Sequence, residues 1–507
     1  MILDVARRRA ELTPDRPAVY WQRRWLSYAD MNGRAERLAG LLAARGLRKG
    51  DRVSILALNH IAHLDLLLAT AKSGVIYTPF NYRLSPTETR AIAADVRPAL
   101  LLADAENLTA AAATGVPTLA LDGYEAALAA APLPPPAPPL TSEDIQMILF
   151  TGGTTGLPKG AMQPYRQGFY NAVNTILSWG LRDDDCVVQA TPCFHAALNA
   201  FTVPLLHLGA RVALERAFDP GDYLRLVGEA GATILFLVPT MYKMLADDPA
   251  FDATELSAVR WAISGGAACP EPVRRAFRER GVRFKQGYGL TEAGVNCFAM
   301  SLDEAERHPE SVGKAILHAE AAVRRPDGSV CEAGEVGELT LAGAHVFSGY
   351  FERPEETAEA LREGWLWTGD LAAMDAEGFV TIAGRRKEMF ISGGENVFPV
   401  EVENALYDHP AVSECAVVGV PDARWGEVGL AAVVPREGAT LEPEEVRSFL
   451  KERLARYKVP KHVRTVDGLP KSGAGKILKN ELRDAFQRDQ GDDRAEAPAA
   501  EEGNGHA

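Results

Sequence analysis

The chain has 507 residues, 47% of them hydrophobic, more than one core usually encloses, so at least two domains are expected. Acidic residues outnumber basic ones 68 to 54, and the net charge of −14 is spread along the chain without a basic stripe, which argues against nucleic acid as a partner. The first residues carry charges where a signal peptide needs an apolar core, and no stretch reaches the roughly 18 apolar residues that cross a bilayer. A soluble, cytoplasmic protein with no integral membrane segment is expected, and a homodimer stays open. The six cysteines (Cys186, Cys193, Cys269, Cys297, Cys331, Cys415) form no CxxC pair or Cys/His cluster and read as reduced thiols rather than a metal site.

In chain order, the first clear helix is the stretch from Ser27 to Arg45. Tyr28, Met31, Ala35, Leu38 and Leu42 recur at helical spacing behind a Ser27-x-x-Asp30 start. Short apolar, β-branched runs follow at 53–58, 75–80, 145–150, 233–238 and 260–264, alternating with helical patterns. That alternation predicts an α/β fold, with a large N-terminal domain of mainly parallel sheets and covering helices. The proline run at 132–140 can continue neither a helix nor a central strand and reads as a stiff connection, either a subdomain junction or a surface loop. At "GRRKE", 384–388, the apolar pattern breaks. The expected division is a large domain over 1–384, a hinge at 385–387, a small mobile α+β domain over 388–486, and a disordered polar tail over 487–507.

The first stretch that carries chemistry is "TGGTTGLPKG", directly after the apolar run at 145–150. Its glycines Gly152, Gly153 and Gly156 let backbone N–H groups approach an anion. Thr151, Thr154 and Thr155 add hydroxyl donors, and Lys159 adds charge, as a triphosphate cradle requires. It is not a Walker A loop, because Lys159 follows Pro158 and precedes Gly160. Taken alone it reads first as a flexible Gly-rich hairpin.

Together with "YGLTE" at 288–292, "TGD" at 368–370, "GRRKE" at 384–388 and "PKSGAGK" at 470–476, this loop resembles, in order and spacing, the core motifs of the adenylate-forming superfamily. That superfamily comprises acyl-CoA synthetases, amino-acid adenylation domains and beetle luciferases, and the resemblance spans roughly residues 10 to 485. It implies ATP and coenzyme A as co-substrates and Mg²⁺ as cofactor. Thr291 would hold a phosphate oxygen, and Glu292 would ligate the Mg²⁺. Asp370 would accept from both ribose hydroxyls, and Arg385 would reach the ribose or phosphate. The segments containing Gly265, Gly266, Ala267 and Ala268, and Gln286, Gly287, Tyr288 and Gly289, would wall the adenine, with Tyr288 stacking on it. Lys476 would neutralise charge as the carboxylate attacks the α-phosphate. Lys387 would be the pivot of a small-domain rotation between the two half-reactions, and Gly393 and Gly394 would line a pantetheine channel or form a hairpin turn.

Within the superfamily, amino-acid adenylating members place an aspartate where "TPCFHAALNAF" has His195, so a free ammonium would find no fixed negative charge. The segment resembles acyl- and aryl-CoA ligases, with His195 beside the carboxylate tunnel or packed structurally. The acyl pocket is expected from His195, Ala196, Ala197, Leu198, Asn199, Val238, Gly265, Ala267, Gly289, Val295 and Asn296, a largely apolar lining without a carboxylate. The expected activity is an AMP-forming carboxylic acid:CoA ligase. Its expected substrate is a medium- or long-chain fatty acid, with an aryl or arylpropenoic acid as the alternative. A catalytically silent nucleotide sensor is the reading from another class.

Overall fold

The alternation of strands and helices in the first 290 residues builds two sheets. The computed structural model describes residues 4–151, 158–422, 424–471 and 477–495 and divides between Ile382 and Ala383 into two units. One sheet has six strands in the order Thr118–Ala120, Leu100–Ala103, Arg52–Leu56, Ile76–Pro79, Ile145–Thr151 and Lys159–Pro164. The other has seven, in the order Phe284–Gln286, Trp261–Ser264, Ile234–Leu237, Cys186–Gln189, Arg211–Leu214, Pro17–Trp21 and Arg24–Ser27. In each, all pairs are parallel except one edge hairpin.

Val53, Ile55, Tyr77, Met147 and Leu149 from the six-stranded sheet share one buried cluster with Val187, Val212, Ile234, Trp261 and Ile263 from the seven-stranded sheet. The intervening residues Leu235, Leu237 and Ala262 pack into a separate cluster with Tyr223, Tyr242 and Phe277, as the two-residue strand period requires. The helix Tyr28–Ala44 closes part of the first cluster. Ser27 and Asp30 form a reciprocal capping box, and Tyr28, Met31, Ala35, Leu38 and Leu42 are buried.

The proline segment does not join subdomains. It leaves and re-enters the same six-stranded sheet and straps over the helix, where a Cβ on Gly40 would lie 1.9 Å from the Pro132 carbonyl oxygen. Lys49 donates to the Pro139 carbonyl at 3.0 Å.

A third, antiparallel sheet follows, which the sequence reading did not anticipate. It pairs Glu320–Arg324, Val336–Ala342, Trp365–Met374 and Leu361–Arg362, with Val380–Arg385 against Trp365–Met374. That last strand crosses the division of the chain, which therefore falls two residues before the expected end of the large domain.

The second unit has its own sheet, Glu395–Val397, Phe390–Ser392, Gly426–Pro435 and Val412–Asp422, with His462–Thr465 parallel to Gly426–Pro435. Phe390, Val402, Leu406, Val417, Ala431, Val446 and Leu450 form its core. The expected disordered tail is corrected in part. The helix Lys479–Ala495, with Phe486 buried, continues through 487–495, and 496–507 lie outside the described residues.

Candidate active site

The loop that follows Ile145–Thr151 is held at its base by a hairpin, with Thr151 opposite Lys159 in the ladder. Gly152, Gly153, Thr154, Thr155 and Gly156 lie outside the described residues, as does Lys476. Lys159 is described. Its ammonium lies 5.4 Å from the Tyr350 ring centroid and 3.9 Å from Glu356.

Thr291 and Glu292 sit in a short 3-10 turn, Thr291–Ala293, that the rest of the unit clamps from three directions. Gln163 and Gln167 both donate to the Thr291 carbonyl, at 2.9 and 3.0 Å. Phe347 N donates to the Glu292 carbonyl at 2.8 Å, and the Tyr350 hydroxyl donates to Glu292 Oε1 at 2.9 Å. The turn also needs glycine. A Cβ on Gly289 would lie 2.2 Å from the Val295 carbonyl oxygen, and Gly294 has φ +70° against the side chain of Asn171.

Asp370 is buried on the strand Trp365–Met374, and the Tyr288 hydroxyl donates to its Oδ2. Burial, then the neighbouring carboxylate, pushes the Tyr288 phenol well above its ordinary value, so it remains a donor at neutral pH. Tyr288, expected to stack on adenine, thus also fixes the carboxylate expected to hold the ribose.

The strand Trp261–Ser264 delivers Gly265, Gly266, Ala267 and Ala268 at its C-terminal end, and Phe284–Gln286 delivers Gln286 and Gly287 beside it. Ligands of open α/β sheets bind at such strand ends. The Gln286 side chain is spent on the frame, accepting from Cys269 N at 2.9 Å and donating to the Pro309 carbonyl at 2.8 Å, so only its backbone can face a nucleotide.

Of the expected acyl lining, His195 precedes a 3-10 turn, Ala196–Asn199, with its ring tilted against Phe194 at a centroid distance of 4.2 Å. Asn199 donates to Gln163 Oε1 at 3.0 Å, linking this segment to the Thr291 turn, while the Asn296 amide is committed to Thr175 and the Ala200 carbonyl. Val238 begins the helix Pro239–Asp247.

In the second unit, Arg385 ends its strand exposed, and Lys387 lies in the exposed turn that Glu388 N and Met389 N close on the Arg385 carbonyl. Gly393 and Gly394, at φ +61° and +91°, are the two-residue turn of the hairpin Phe390–Ser392 and Glu395–Val397. A Cβ on Gly393 would meet Trp425 at 2.8 Å, whereas one on Gly394 meets nothing within 4 Å among the described residues.

The residues fit Mg²⁺ held with phosphates. Glu292 offers a buried carboxylate with one oxygen already oriented, and among the described residues no cluster of three or more His, Cys, Asp or Glu makes a self-sufficient cage. Magnesium bound through one or two carboxylates, water and phosphate needs none.

Sequence reasoning missed Tyr350, Gln163, Gln167 and Asn171. The first three touch Thr291 or Glu292, and Asn171 lies against Gly294 in the same turn. None stands in a contiguous motif with the turn.

The model of the family described as AMP-binding enzyme matches residues 6–351, and that of the AMP-binding enzyme C-terminal domain matches 401–476. The chain is 40% identical over 480 residues to a feruloyl-CoA synthase of Amycolatopsis sp, covering 94% of this chain and 98% of that protein. It is 36% identical over 498 residues to an indoleacetate–CoA ligase of Aromatoleum aromaticum (95% and 97% covered). A long-chain-fatty-acid–CoA ligase of Mycobacterium tuberculosis is 33% identical over 470 residues (91% and 93% covered). Among solved structures, ATP-bound MatB from Rhodopseudomonas palustris superposes with a TM-score of 0.89 at 33% identity, covering 96% of this chain and 99% of that one. The o-succinylbenzoate CoA synthetase of Bacillus subtilis, in complex with its acyl-adenylate intermediate, superposes with 0.86 at 31% identity, covering 95% and 98%. The chain belongs to the AMP-binding enzyme family and is an AMP-forming acid–thiol ligase, joining a carboxylic acid to coenzyme A through an acyl adenylate.

Proposed function

We propose that this ligase acts on an aryl or arylpropenoic acid. The expectation of a fatty acid gives way here, because an apolar lining suits alkyl and aryl groups alike and only shape separates them. The observation that carries the reading is the likeness to the feruloyl-CoA synthase, at 40% identity over 94% of the chain, with indoleacetate–CoA ligase also above the fatty-acid relative. The wall behind Gly265 supports it. Half-buried Phe236 stands 3.2 Å from where a Gly265 Cβ would be, packs on Phe201 at 5.2 Å, and Phe201 packs on Trp261 at 5.7 Å. An aromatic wall of tilted rings receives a flat ring on its face or edge.

In the proposed mechanism, a carboxylate oxygen of the acid attacks the α-phosphorus of ATP as the bond to pyrophosphate breaks. Thr291 holds a phosphate oxygen, and Asp370, fixed by Tyr288, accepts from the ribose hydroxyls. Lys159 and Lys476 meet the charge that develops on the phosphates. Mg²⁺, held by Glu292, would neutralise phosphate charge. His195 borders the carboxylate. In the second half-reaction the thiol of coenzyme A attacks the acyl carbon and AMP leaves. Lys387 is the proposed pivot between the two steps, with Gly393 and Gly394 beside the pantetheine path.

The test is two-stage. Acid-dependent exchange of pyrophosphate into ATP is measured across ferulate, cinnamate, indoleacetate, octanoate and palmitate, and thioester formation is then measured on adding coenzyme A. The proposal expects kcat/KM for at least one aryl acid to exceed both fatty acids by about tenfold or more, the discrimination about 1.4 kcal/mol supports. A preference for palmitate would reinstate the fatty-acid alternative, and no exchange with any acid would favour a sensor.

A further inference from the structure

The segment 347–350 grips the Thr291–Ala293 turn twice, by the Phe347 N–H on the Glu292 carbonyl at 2.8 Å and by the Tyr350 hydroxyl on Glu292 Oε1 at 2.9 Å. The same segment is laced to the strand that carries Lys159. Met162 N donates to the Gly349 carbonyl at 2.9 Å, Ser348 N to the Met162 carbonyl at 3.0 Å, and Phe351 N to the Gly160 carbonyl at 2.8 Å. Tyr350 N is held by Thr357 Oγ1 at 2.9 Å, and Gly349, at φ +110°, leaves no room for a Cβ, which would lie 2.5 Å from Thr357. The Tyr350 ring is therefore immobilised from its backbone outward, with the Lys159 ammonium 5.4 Å from its centroid. One side chain touches a carboxylate of one motif and a cation of another, 133 residues apart in sequence.

We propose that Tyr350 is a positioning residue of the adenylation half-reaction, setting the Glu292 carboxylate and the Lys159 ammonium relative to each other; this rests on the role given to Glu292 above. The hydroxyl holds Oε1 and so fixes the orientation of the carboxylate that would bind the Mg²⁺. The ring face attracts the ammonium and holds it beside the same phosphates. Tyr350 itself contacts neither substrate nor product in this role. Its effect is exerted through the two charged groups.

Tyr350→Phe removes the hydroxyl and keeps the ring that walls a cavity of about 410 Å³ with Thr357 and Leu361. The measurement is binding of Mn²⁺ to the full-length enzyme with α,β-methylene-ATP, which cannot be cleaved at the α-phosphate, by calorimetry and electron paramagnetic resonance. Tyr350→Phe is expected to weaken Mn²⁺ about tenfold, as loss of a hydrogen bond to a charged group does. Its melting temperature should fall by no more than a few degrees, and its affinity for the analogue in EDTA should be unchanged. In a Glu292→Gln background the same substitution should cost less than about twofold, because the partner is already gone. Tyr350→Leu, which also removes the ring, should lower analogue affinity in EDTA by about threefold, a loss absent when Lys159 is already Gln. Normal Mn²⁺ binding by Tyr350→Phe alongside weak binding by Glu292→Gln would overturn this inference alone. Normal binding by Glu292→Gln would overturn the Glu292 reading and this inference with it. Additive losses in the double variant would show that Tyr350 acts elsewhere, and would overturn it too.

Discussion

Gly289→Ala is the substitution whose consequence follows most directly from the geometry. A Cβ there would lie 2.2 Å from the Val295 carbonyl oxygen, 2.3 Å from its carbon and 2.8 Å from its Cα. All three are backbone atoms, so no side-chain rotation relieves the clash, and ordinary contact, which begins at 3.4 Å, requires a retreat of roughly 1.2 Å. The retreat cannot be absorbed locally. Cys297 N is bonded to the Tyr288 carbonyl at 3.0 Å across the base of this loop, and between them lie Thr291 and Glu292, held by Gln163, Gln167 and Phe347. Either those bonds break or the two residues move by a comparable distance. A displacement of about 1 Å at a reacting centre costs on the order of 10²-fold in rate, and overpacking a closed loop costs about 1–3 kcal/mol of stability. Pyrophosphate exchange with the preferred acid should therefore fall about 10²-fold in a variant that still melts cooperatively, only a few degrees below the parent. Exchange within threefold of the parent, in a folded variant, would refute the claim that this glycine sets the Thr291 turn.

Lys476→Ala should slow adenylate formation about 10²-fold while thioester formation from supplied acyl adenylate stays near the parent rate; equal damage to both half-reactions in single-turnover assays would refute the division of labour. Lys387→Pro, with φ locked near −65°, should leave adenylation within about tenfold but slow transfer to coenzyme A far more, and Lys387→Ala should be mild in both; normal transfer by the proline variant places the pivot elsewhere. Burial, with Oε2 unpartnered among the described residues, raises the Glu215 carboxyl to about 8. The folded chain thus holds a proton that the unfolded chain releases, so this contribution is complete below the ordinary value of 4.5 and is lost as pH rises through about 8. Glu215→Gln should flatten that decline and exceed the parent in urea midpoint at pH 8.5, and a parallel pH profile would refute it. On one helix, Gly33→Ala meets nothing within 4 Å and should stabilise by about 0.5–1 kcal/mol, whereas Gly40→Ala meets the Pro132 carbonyl at 1.9 Å and should destabilise; equal melting shifts would mean that the proline strap is not seated there.

What the sequence disclosed was what neighbours in the chain determine. The helix Tyr28–Ala44 was legible because its capping box and apolar face lie within seventeen residues, and the adenylation motifs because each is a short run whose residue types match one task. The third sheet was passed over although "PDGS" at 326–329 is a turn signal, with Gly328 at φ +88° and Arg325 N bonded to the Ser329 carbonyl. Alternation there is weak, since five consecutive residues of Val336–Ala342 are buried, which hides the two-residue period. Tyr350 was invisible for a different reason. It stands 58 residues from the carboxylate it orients, and Gln163 stands 128 residues from the Thr291 carbonyl it holds, so nothing local marks either.

The substrate belongs to this second class. In "TILFLV", 233–238, the reading treats Leu235 and Phe236 alike as buried strand residues, yet adjacent strand positions face opposite sides of the sheet. Leu235 enters the cluster around Tyr223 and Tyr242, while Phe236 turns half-buried to the other face, beside Phe201 and Gly265. Whether an acyl pocket ends in an aromatic wall or an open alkyl channel depends on which residue takes the second position. That is decided by strand register and by a glycine on the neighbouring strand end, not by the composition of the lining. A count of apolar residues therefore points to an apolar acid and cannot distinguish a ring from a chain. Phe236→Ala bears on the same point, since removing the wall should raise kcat/KM for octanoate relative to a cinnamate, measured by pyrophosphate exchange. An unchanged ratio would mean that the acid's distal end lies against other residues.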